Sequence, residues 1–322
     1  MNSVGGPTSF QRKFTSWLNQ SEITYDFLNI KNLFRKKILI INSGTFNFPL
    51  LILSILFNTK IIQRLDGFYD YSNVGRKTKT LKCFLTNLSI QFIRKYLANY
   101  LIYQSLSSKK LWDKTFNKVN TKYSIIHNPS FGNSKNFKKT SKVNKSYDII
   151  IVEGNIENNY YYYELFNLID IATKNNFKIK NIYIFGKIDF HFKKKFRKNK
   201  KFIFKNVVNQ NVLKSFYKRN NVIFFGIEYI PCCSNSIIEA NSYGLPSITF
   251  NTGSYKELIQ NSGIQINYKD IFSKNLDLKI SNALTNIIKN YEKFSKRSLV
   301  NSNRFHPDYI FAKYLKCVKQ LF

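Results

Sequence analysis

Residues 231–250, PCCSNSIIEANSYGLPSITF, place the strongest constraint on how this chain can fold. They combine a polar loop, a short helix and a new apolar strand, and Gly244 and Pro246 end the helix. A further apolar strand, residues 221–225, precedes the loop. Strands and helices that alternate in this way predict a parallel α/β sheet, whose ligands bind beyond the carboxyl ends of the strands.

The start of the predicted helix has the composition of an anion-binding site. Ser234, Asn235 and Ser236 are residue types that cap helices, so the helix is expected to begin among them. The first amides of a helix have no partner within it, and the helix dipole adds about 0.3–1 kcal/mol of attraction for a phosphate. The sequence therefore predicts that this helix end attracts a phosphate group.

Glu239, which follows in the expected first turn, has two interpretations. Its carboxylate could accept two hydrogen bonds from a ribose diol, each worth roughly 1.5–3 kcal/mol because the acceptor is charged. Alternatively, Ser236 and Glu239 form a capping box that needs no ligand, as do Ser254 and Glu257. The long polar loop and the Gly-Leu-Pro exit favour the ligand, because a cap requires neither.

Residues 234–259, SNSIIEANSYGLPSITFNTGSYKELI, resemble the C-terminal signature of the family 4 glycosyltransferases. The Cys-Ser-Asn run before the helix is similar to a subgroup from polysaccharide and capsule clusters. The resemblance implies a retaining enzyme of the GT-B fold, with two Rossmann-like domains facing each other across a cleft. It also implies donor-binding residues, namely Glu239 on the ribose, Ser234, Asn235 and Ser236 along the diphosphate, and Glu257 in a nucleotide-side or structural position.

Two departures from the family's pattern concern the donor. The family's first glutamate, eight positions before the second, falls on Pro231, and Glu228 is nearby but out of register. The Arg and Lys that usually follow the first strand of the second half are absent between residues 153 and 168. Gly154 lies in that turn as an expected donor-binding residue, and Lys187 on the next strand is the expected substitute for the missing positive charge.

Residues 2–10, NSVGGPTSF, are typical of a glycine-rich turn that leads into a helix. Gly5 and Gly6 form the turn, and by resemblance their backbone approaches the acceptor or the donor phosphates; a plain turn is the alternative. A Rossmann-like domain needs a strand before this turn, so its first strand is expected to be missing or truncated.

An Arg-Leu-Asp-Gly run ends the predicted strand of residues 59–65, where a parallel sheet places its ligands. Arg64 can pair with a phosphate and Asp66 can accept from a sugar hydroxyl, so both are predicted to be catalytic residues. The alternative is an ion pair between them that holds a turn at Gly67. The same run resembles the capsule-type subgroup, which favours the functional role.

The succession of strands and helices divides the chain into two Rossmann-like halves. An acceptor-side domain, residues 1–131, is followed by a polar, lysine-rich linker, residues 132–146. A nucleotide-sugar domain covers residues 147–300, and a terminal helix within residues 301–322 can cross back to the first domain.

The chain carries 51 lysine and arginine residues against 18 acidic ones, a net charge of +33. This charge has three possible explanations. It can reflect a drift of the composition toward lysine, or binding to an anionic membrane surface or lipid phosphate, or binding to nucleic acid. Nucleic acid is the least favoured partner, because no motif interleaves basic and aromatic residues. Residues 75–96 are basic and either meet a membrane or form a solvated helix face.

Three further observations bear on location and chemistry. The four cysteines show no zinc-site spacing and are predicted to be free thiols in a reducing compartment. The apolar run of residues 46–57 is too short to span a bilayer and is expected to form a buried helix. The three histidines form no cluster and no Asp-x-Asp motif occurs, so the chemistry is expected to need no metal.

Together these features predict a metal-independent, retaining hexosyltransferase that moves a sugar from a nucleoside diphosphate sugar to a glycan or lipid-linked acceptor in surface polysaccharide synthesis. The nucleotide sugar is a co-substrate, and no separate cofactor is expected. The expected location is the cytoplasm, including the inner face of the cytoplasmic membrane. Two alternatives stay open, namely a degenerate GT-B protein that binds nucleotide sugar or glycan without turnover and a basic nucleic-acid-binding protein.

Overall fold

The structure is a computed structural model that describes residues 6–27, 29, 31, 37–68, 81–130, 146–174, 176, 178–229, 231–267 and 269–322. These residues form two compact units. The first unit contains the described residues between 6 and 68, residues 81–129 and Phe305–Phe322. The second unit contains the described residues of Ser130–Arg304.

Strands and helices alternate through both units. The strands are β1 (Ile38–Asn42), β2 (Lys60–Leu65), β3 (Tyr100–Tyr103), β4 (Tyr123–Ile125), β5 (Tyr147–Ile156), β6 (Ile179–Ile188), β7 (Phe202–Asn206), β8 (Val222–Phe225), β9 (Ser247–Phe250) and β10 (Gly263–Ile266). The helices are α1 (Gly6–Gln20), α2 (Phe48–Leu56), α3 (Leu81–Phe92), α4 (Leu106–Phe116), α5 (Tyr160–Lys174), α6 (Phe190–Phe196), α7 (Gln210–Tyr217), α8 (Asn235–Ser242), α9 (Tyr255–Ile259), α10 (Leu276–Lys289), α11 (Tyr291–Ser302) and α12 (Pro307–Lys319).

The first unit is built on a parallel sheet in the order β1-β2-β3-β4. Its central strands are buried on both faces, which agrees with the apolar sequence YLIY of β3, whereas β2 also buries the polar residues Gln63 and Arg64. Helices α1 and α12 cover one face, where Phe10 and Phe311 pack with Ile62. Leu101 and Trp112 belong to the core on the other face. Among the described residues no strand precedes α1, and β1 forms an edge of the sheet.

The second unit is built on a six-stranded parallel sheet in the order β10-β9-β8-β5-β6-β7. Helices α5 and α10 contribute Phe166 and Leu284 to a core that also contains Ile149 of β5. Strand β5 lies between β6 and β8, so the ends of these three strands meet at the centre of the sheet's carboxyl edge. The α/β class and the parallel sheets predicted from the alternating pattern are confirmed.

The helix predicted within residues 46–57 is confirmed as α2, but its predicted burial is wrong. Only Leu51 and Ser54 are buried in this helix, whereas Ile52 and Leu56 are exposed. Continuous hydrophobicity cannot reveal how many faces of a helix find a partner, and α2 packs through one side only. The predicted end of α8 is confirmed, because Gly244 follows the helix with a φ of +69°.

Candidate donor site and the buried arginine cluster

Gly154 and Lys187 lie close together at the carboxyl edge of the second sheet. The pairing of β5 with β6 shifts register between Val152 and Asn155, and Asn155 then pairs with Lys187. The Lys187 side chain is exposed. A Cβ added at Gly154 would have no neighbour within 4 Å, so the space beside this bulge is open.

Gly186 fixes the shape of the same bulge. It has a φ of +136°, which side chains rarely tolerate, and a Cβ there would lie 1.8 Å from the carbonyl oxygen of Glu153. The backbones of β5 and β6 therefore approach each other closely just before Lys187, which only glycine allows.

Ser234, Ser236 and Glu228 meet at the start of α8. Ser234 occupies the N-cap position, and its hydroxyl donates to Oε1 of Glu228 at 2.7 Å. The two serine hydroxyl oxygens are 3.0 Å apart. The sequence pattern does not identify Glu228 as a site residue, because Glu228 is out of register with the family's first glutamate. The signal that could have identified it is its place in the loop between β8 and α8.

Neither predicted capping box forms. Helix α8 begins at Asn235, so Glu239 lies in the second turn, not in the first turn as expected, and no serine side chain caps this helix. At α9, Ser254 is the N-cap residue, but its side chain makes no cap hydrogen bond. A structural cap therefore does not explain Glu239 or Glu257, and their predicted ligand roles stay predictions.

Glu239 is half-buried on the side of α8 that faces α7. Burial raises the pKa values of Tyr217 and Tyr243, and the nearby charge of Glu239 raises them further. A small cavity of about 10 Å³ lies beside Glu239, and Gln210 and Lys214 of α7 also line it. This gap holds about one water, so a pentose can reach Glu239 only from its exposed side.

Pro231, on which the family's first glutamate falls, joins the loops that follow β8 and β9. Its carbonyl oxygen accepts a hydrogen bond of 2.8 Å from the amide of Ser254. The hydroxyl oxygen of Tyr255 accepts from the amide of Glu228 at 3.1 Å. Burial raises the pKa of Tyr255, and the charges of Glu228 and Glu153 raise it further. The two loops therefore hold each other at this edge of the sheet.

Glu257 lies on α9, which is anchored from the opposite side. The guanidinium of Arg304 donates to the main-chain oxygens of Glu257 and Leu258. The carboxylate of Glu257 is half-buried. The placement agrees with either of the two roles that the resemblance implies, nucleotide-side or structural.

Arg64 lies at the end of β2 in a buried polar cluster of the first unit, and its side chain is only 1% exposed. One guanidinium nitrogen donates to Asn42 at 2.7 Å and to Asp66, and the other donates to Asn128 at 2.6 Å. Its Cζ lies 3.9 Å from the ring centre of Phe10. Side chains from or just beyond β1, β2 and β4 thus converge on one cation.

Asp66 forms the ion pair with Arg64 that the alternative interpretation of this turn requires. Its other carboxylate oxygen, Oδ2, is buried without a hydrogen-bond partner. Burial raises the pKa of Asp66, although the charge of Arg64 opposes this rise. The indole of Trp112 donates to the main-chain oxygen of Asp66 at 3.0 Å and so fixes the turn. The catalytic roles of Arg64 and Asp66 stay predictions.

The predicted glycine turn is described only in part, because Gly5 lies outside the described residues and Gly6 is the first residue of α1. A cavity of about 520 Å³ lies along the edge strand β1, lined mostly by apolar side chains such as Phe14 and Leu18. None of the predicted site residues lines it. This cavity therefore supports none of the predicted roles.

Two features are absent from the described residues. They contain no group of three or more His, Cys, Asp or Glu side chains that could hold a metal ion. In the same part of the chain, no helix is long and apolar enough to cross a membrane. All four cysteines are free thiols, as predicted.

No family model and no curated protein matches the chain, but solved structures do. The pneumococcal O-GlcNAc transferase GtfA, in complex with UDP and GlcNAc, matches with a TM-score of 0.67 and 14% identity over 90% of this chain and 58% of GtfA. Anabaena HepE in complex with UDP matches with a TM-score of 0.71 and 11% identity over 99% of this chain and 98% of HepE.

Sucrose-phosphate synthase from Thermosynechococcus elongatus matches with a TM-score of 0.65 and 11% identity over 99% of this chain and 80% of the synthase. The chain has the GT-B fold. At these identities the matches establish the architecture alone, and the chain spans 58% of the length of GtfA.

Proposed function

We propose that this protein transfers a hexose, with retention and without a metal ion, from a nucleoside diphosphate sugar to a glycan or lipid-linked acceptor in surface polysaccharide synthesis. The observation that carries the proposal is the start of α8, where Ser234 and Ser236 lie beyond the carboxyl end of β8 and Glu239 follows on the second turn. GtfA and HepE, which share the fold, were each solved with UDP.

The diphosphate is proposed to bind against the first amides of α8 and the hydroxyls of Ser234 and Ser236. Asn235, the first residue of the helix, lines the same end. Lys187 is proposed to supply the positive charge, because it is exposed beside the open bulge at Gly154. Strands β6, β5 and β8 are neighbours, which brings these groups to one edge of the sheet.

Glu228 is proposed to face the hydroxyl groups of the donor sugar. Its carboxylate already accepts from Ser234, and a negative charge at this helix end would repel a phosphate placed directly against it. Sugar hydroxyls, in contrast, donate readily to a carboxylate. In many enzymes of the family that this chain resembles, the first glutamate contacts the donor sugar, and Glu228 would make that contact from a different register.

Glu239 is proposed to accept two hydrogen bonds from the ribose diol on its exposed side. Gln210 and Lys214 of α7 line the same small cavity as Glu239, so this carboxylate lies beside α7. Glu257 on α9 is proposed to serve the nucleotide side of the site indirectly, by keeping the neighbouring loop in place.

In the transfer, the acceptor oxygen bonds to the anomeric carbon while the bond from that carbon to the diphosphate oxygen breaks. The diphosphate leaves with the electron pair and takes up the acceptor's proton. Asp66, whose side chain is 14% exposed, is proposed to accept a hydrogen bond from an acceptor hydroxyl, and Arg64, which is buried, is proposed to hold Asp66 and not to touch a phosphate. The backbone of Gly5 and Gly6 is proposed to border the acceptor.

The test is release of nucleoside diphosphate by the full chain with a panel of UDP, GDP and ADP sugars and glycan acceptors. Glu239→Gln should lower kcat/KM at least tenfold for the accepted donor, since a neutral acceptor replaces a charged one. Glu292→Gln, a matched change at an exposed glutamate of α11, should leave kcat/KM unchanged. Equal rates for both variants would remove Glu239 from the site.

A second candidate is a GT-B protein that binds nucleotide sugar without turnover. It is favoured by two observations, the lack of Arg or Lys in residues 153–168 and the carboxylate of Glu228 at the start of α8. Both weaken stabilisation of the leaving diphosphate. Donor binding in a calorimeter together with no release of diphosphate from any donor and acceptor pair would establish this candidate.

A further inference from the structure

Helix α2 exposes most of its apolar side chains. It has no charged residue, and only Leu51 and Ser54 are buried in it. Ile52, Ile55 and Leu56 face solvent, with Leu56 72% exposed. Single exposed leucines are ordinary on protein surfaces, but an uncharged helix with its apolar side exposed is not.

Helix α3 is amphipathic with its apolar stripe outward. Leu81, Phe84, Leu85 and Leu88 are exposed at spacings of three and four residues, so they share one face of the helix. The polar residue Asn87 is buried on the inner side, together with Ser89. A helix that faces water requires the reverse arrangement, with polar side chains outward and apolar side chains inward.

Helices α2 and α3 are neighbours in the first unit. The ring centroids of Phe48 and Phe92 are 5.8 Å apart in an edge-to-face contact. The hydroxyl of Ser89 donates to the carbonyl oxygen of Thr45, just before α2, at 2.6 Å. We call this surface, made of α2, α3 and the turn Ile93–Leu97, the α2–α3 face.

The charged side chains of the α2–α3 face are all positive. Its two helices and the turn Ile93–Leu97 contain no Asp or Glu. Lys82 and Lys95 are exposed near opposite ends of α3 and its continuation. The whole chain carries a net charge of +33, so the long-range field also favours an anionic partner.

We propose that the α2–α3 face is a peripheral docking surface for an anionic lipid bilayer. Its apolar side chains enter the boundary between headgroups and acyl chains, and its lysines contact lipid phosphates. A second copy of the chain fits less well, because Lys82 and Lys95 would then face like charges. Lipid docking goes beyond the proposed function, since it requires no transferase activity.

The test is flotation of the full chain with vesicles of phosphatidylcholine alone or mixed equally with phosphatidylglycerol. The wild type should float with the anionic vesicles in 0.15 M salt and should retain part of this binding in 1 M salt, because apolar insertion is not screened. The triple variant Leu56→Gln, Leu85→Gln, Leu88→Gln should bind at least tenfold more weakly, since burying even one leucine is worth about that factor.

The matched control is Leu278→Gln, Val300→Gln, Phe322→Gln, which removes equally exposed apolar residues elsewhere in the chain. It should bind vesicles as the wild type does. The proposal would be overturned if the α2–α3 variant bound vesicles as strongly as the wild type does. It would also be overturned if the wild type did not bind them. A wild-type dimer that dissociates in the α2–α3 variant without lipid would also overturn it, because the face would then join two copies.

Discussion

Replacing Arg64 with methionine should destabilise the first unit by about 4 kcal/mol. The guanidinium is buried and donates to Asn42, Asp66 and Asn128. Methionine fills much of the same volume but donates no hydrogen bond, so a buried carboxylate and two amide oxygens would lose this donor. Breaking a buried ion pair by removing one partner costs about 3–5 kcal/mol, which sets the expected magnitude.

The loss should be larger at pH 8 than at pH 5. Burial raises the pKa of Asp66, and Arg64 is the group that opposes this rise, so the pKa should rise further without Arg64. A carboxyl group whose pKa is higher in the folded than in the unfolded protein makes its full contribution to folding stability only at pH values below the unfolded-state pKa. That contribution is lost as the pH rises through the folded-state pKa.

Urea unfolding followed by tryptophan fluorescence measures this loss selectively, because Trp17 and Trp112 are the chain's two tryptophans and both lie in the first unit. Lys110→Met, at an exposed lysine of α4, is the control and should change stability by less than about 0.5 kcal/mol. Adding Asp66→Leu to Arg64→Met should restore about 2 kcal/mol, since it removes the unpaired charge. A deficit under about 1 kcal/mol at pH 8 would refute the reasoning.

Three further outcomes are expected. Gly186→Ala should destabilise the second unit by about 2–4 kcal/mol, measured by urea unfolding followed by circular dichroism. The reason is that the Cβ of the new alanine would overlap a main-chain oxygen of β5. Gly154→Ala is the control and should be nearly neutral, because the space beside Gly154 is open. Tyr291→Phe should cost about 1–3 kcal/mol in the same assay, since the hydroxyl accepts from the amide of Val222 and donates to its carbonyl oxygen, each at 3.0 Å. In the native protein one of the four thiols, Cys232, should react quickly with Ellman's reagent, because the other three are buried; more than one fast thiol would contradict the packing.

Much of the fold could be predicted because its signals are local. Strands β2 and β8 begin one residue later than predicted and end at the predicted residues, Leu65 and Phe225. Continuous apolar runs indicate strands that are buried on both faces, and the alternation of strand and helix indicates a parallel sheet. Gly244 marked the end of α8 because the backbone there has a positive φ.

The candidate site was predictable only where its residues are neighbours in sequence. Ser234 and Ser236 do lie together at the start of α8. The cluster around Arg64 was not predictable, because Asn42 and Asn128 reach it only through the order of the strands in the sheet. Counting positions does not identify Glu228, whose carboxylate reaches Ser234 through the course of the loop between β8 and α8.

The central claim is that the second unit binds a nucleoside diphosphate with Glu239 on the pentose. The most direct test takes whichever of UDP, GDP and ADP the wild type binds most tightly and compares its affinity with that of its 2′,3′-dideoxy analogue, for the wild type and for Glu239→Gln, by calorimetry. The account predicts that removing the diol weakens binding to the wild type at least tenfold. It predicts little effect in the variant, because the variant already lacks the contact between the diol and the Glu239 carboxylate. Equal losses in both proteins, or binding of none of UDP, GDP and ADP by the wild type, would contradict it.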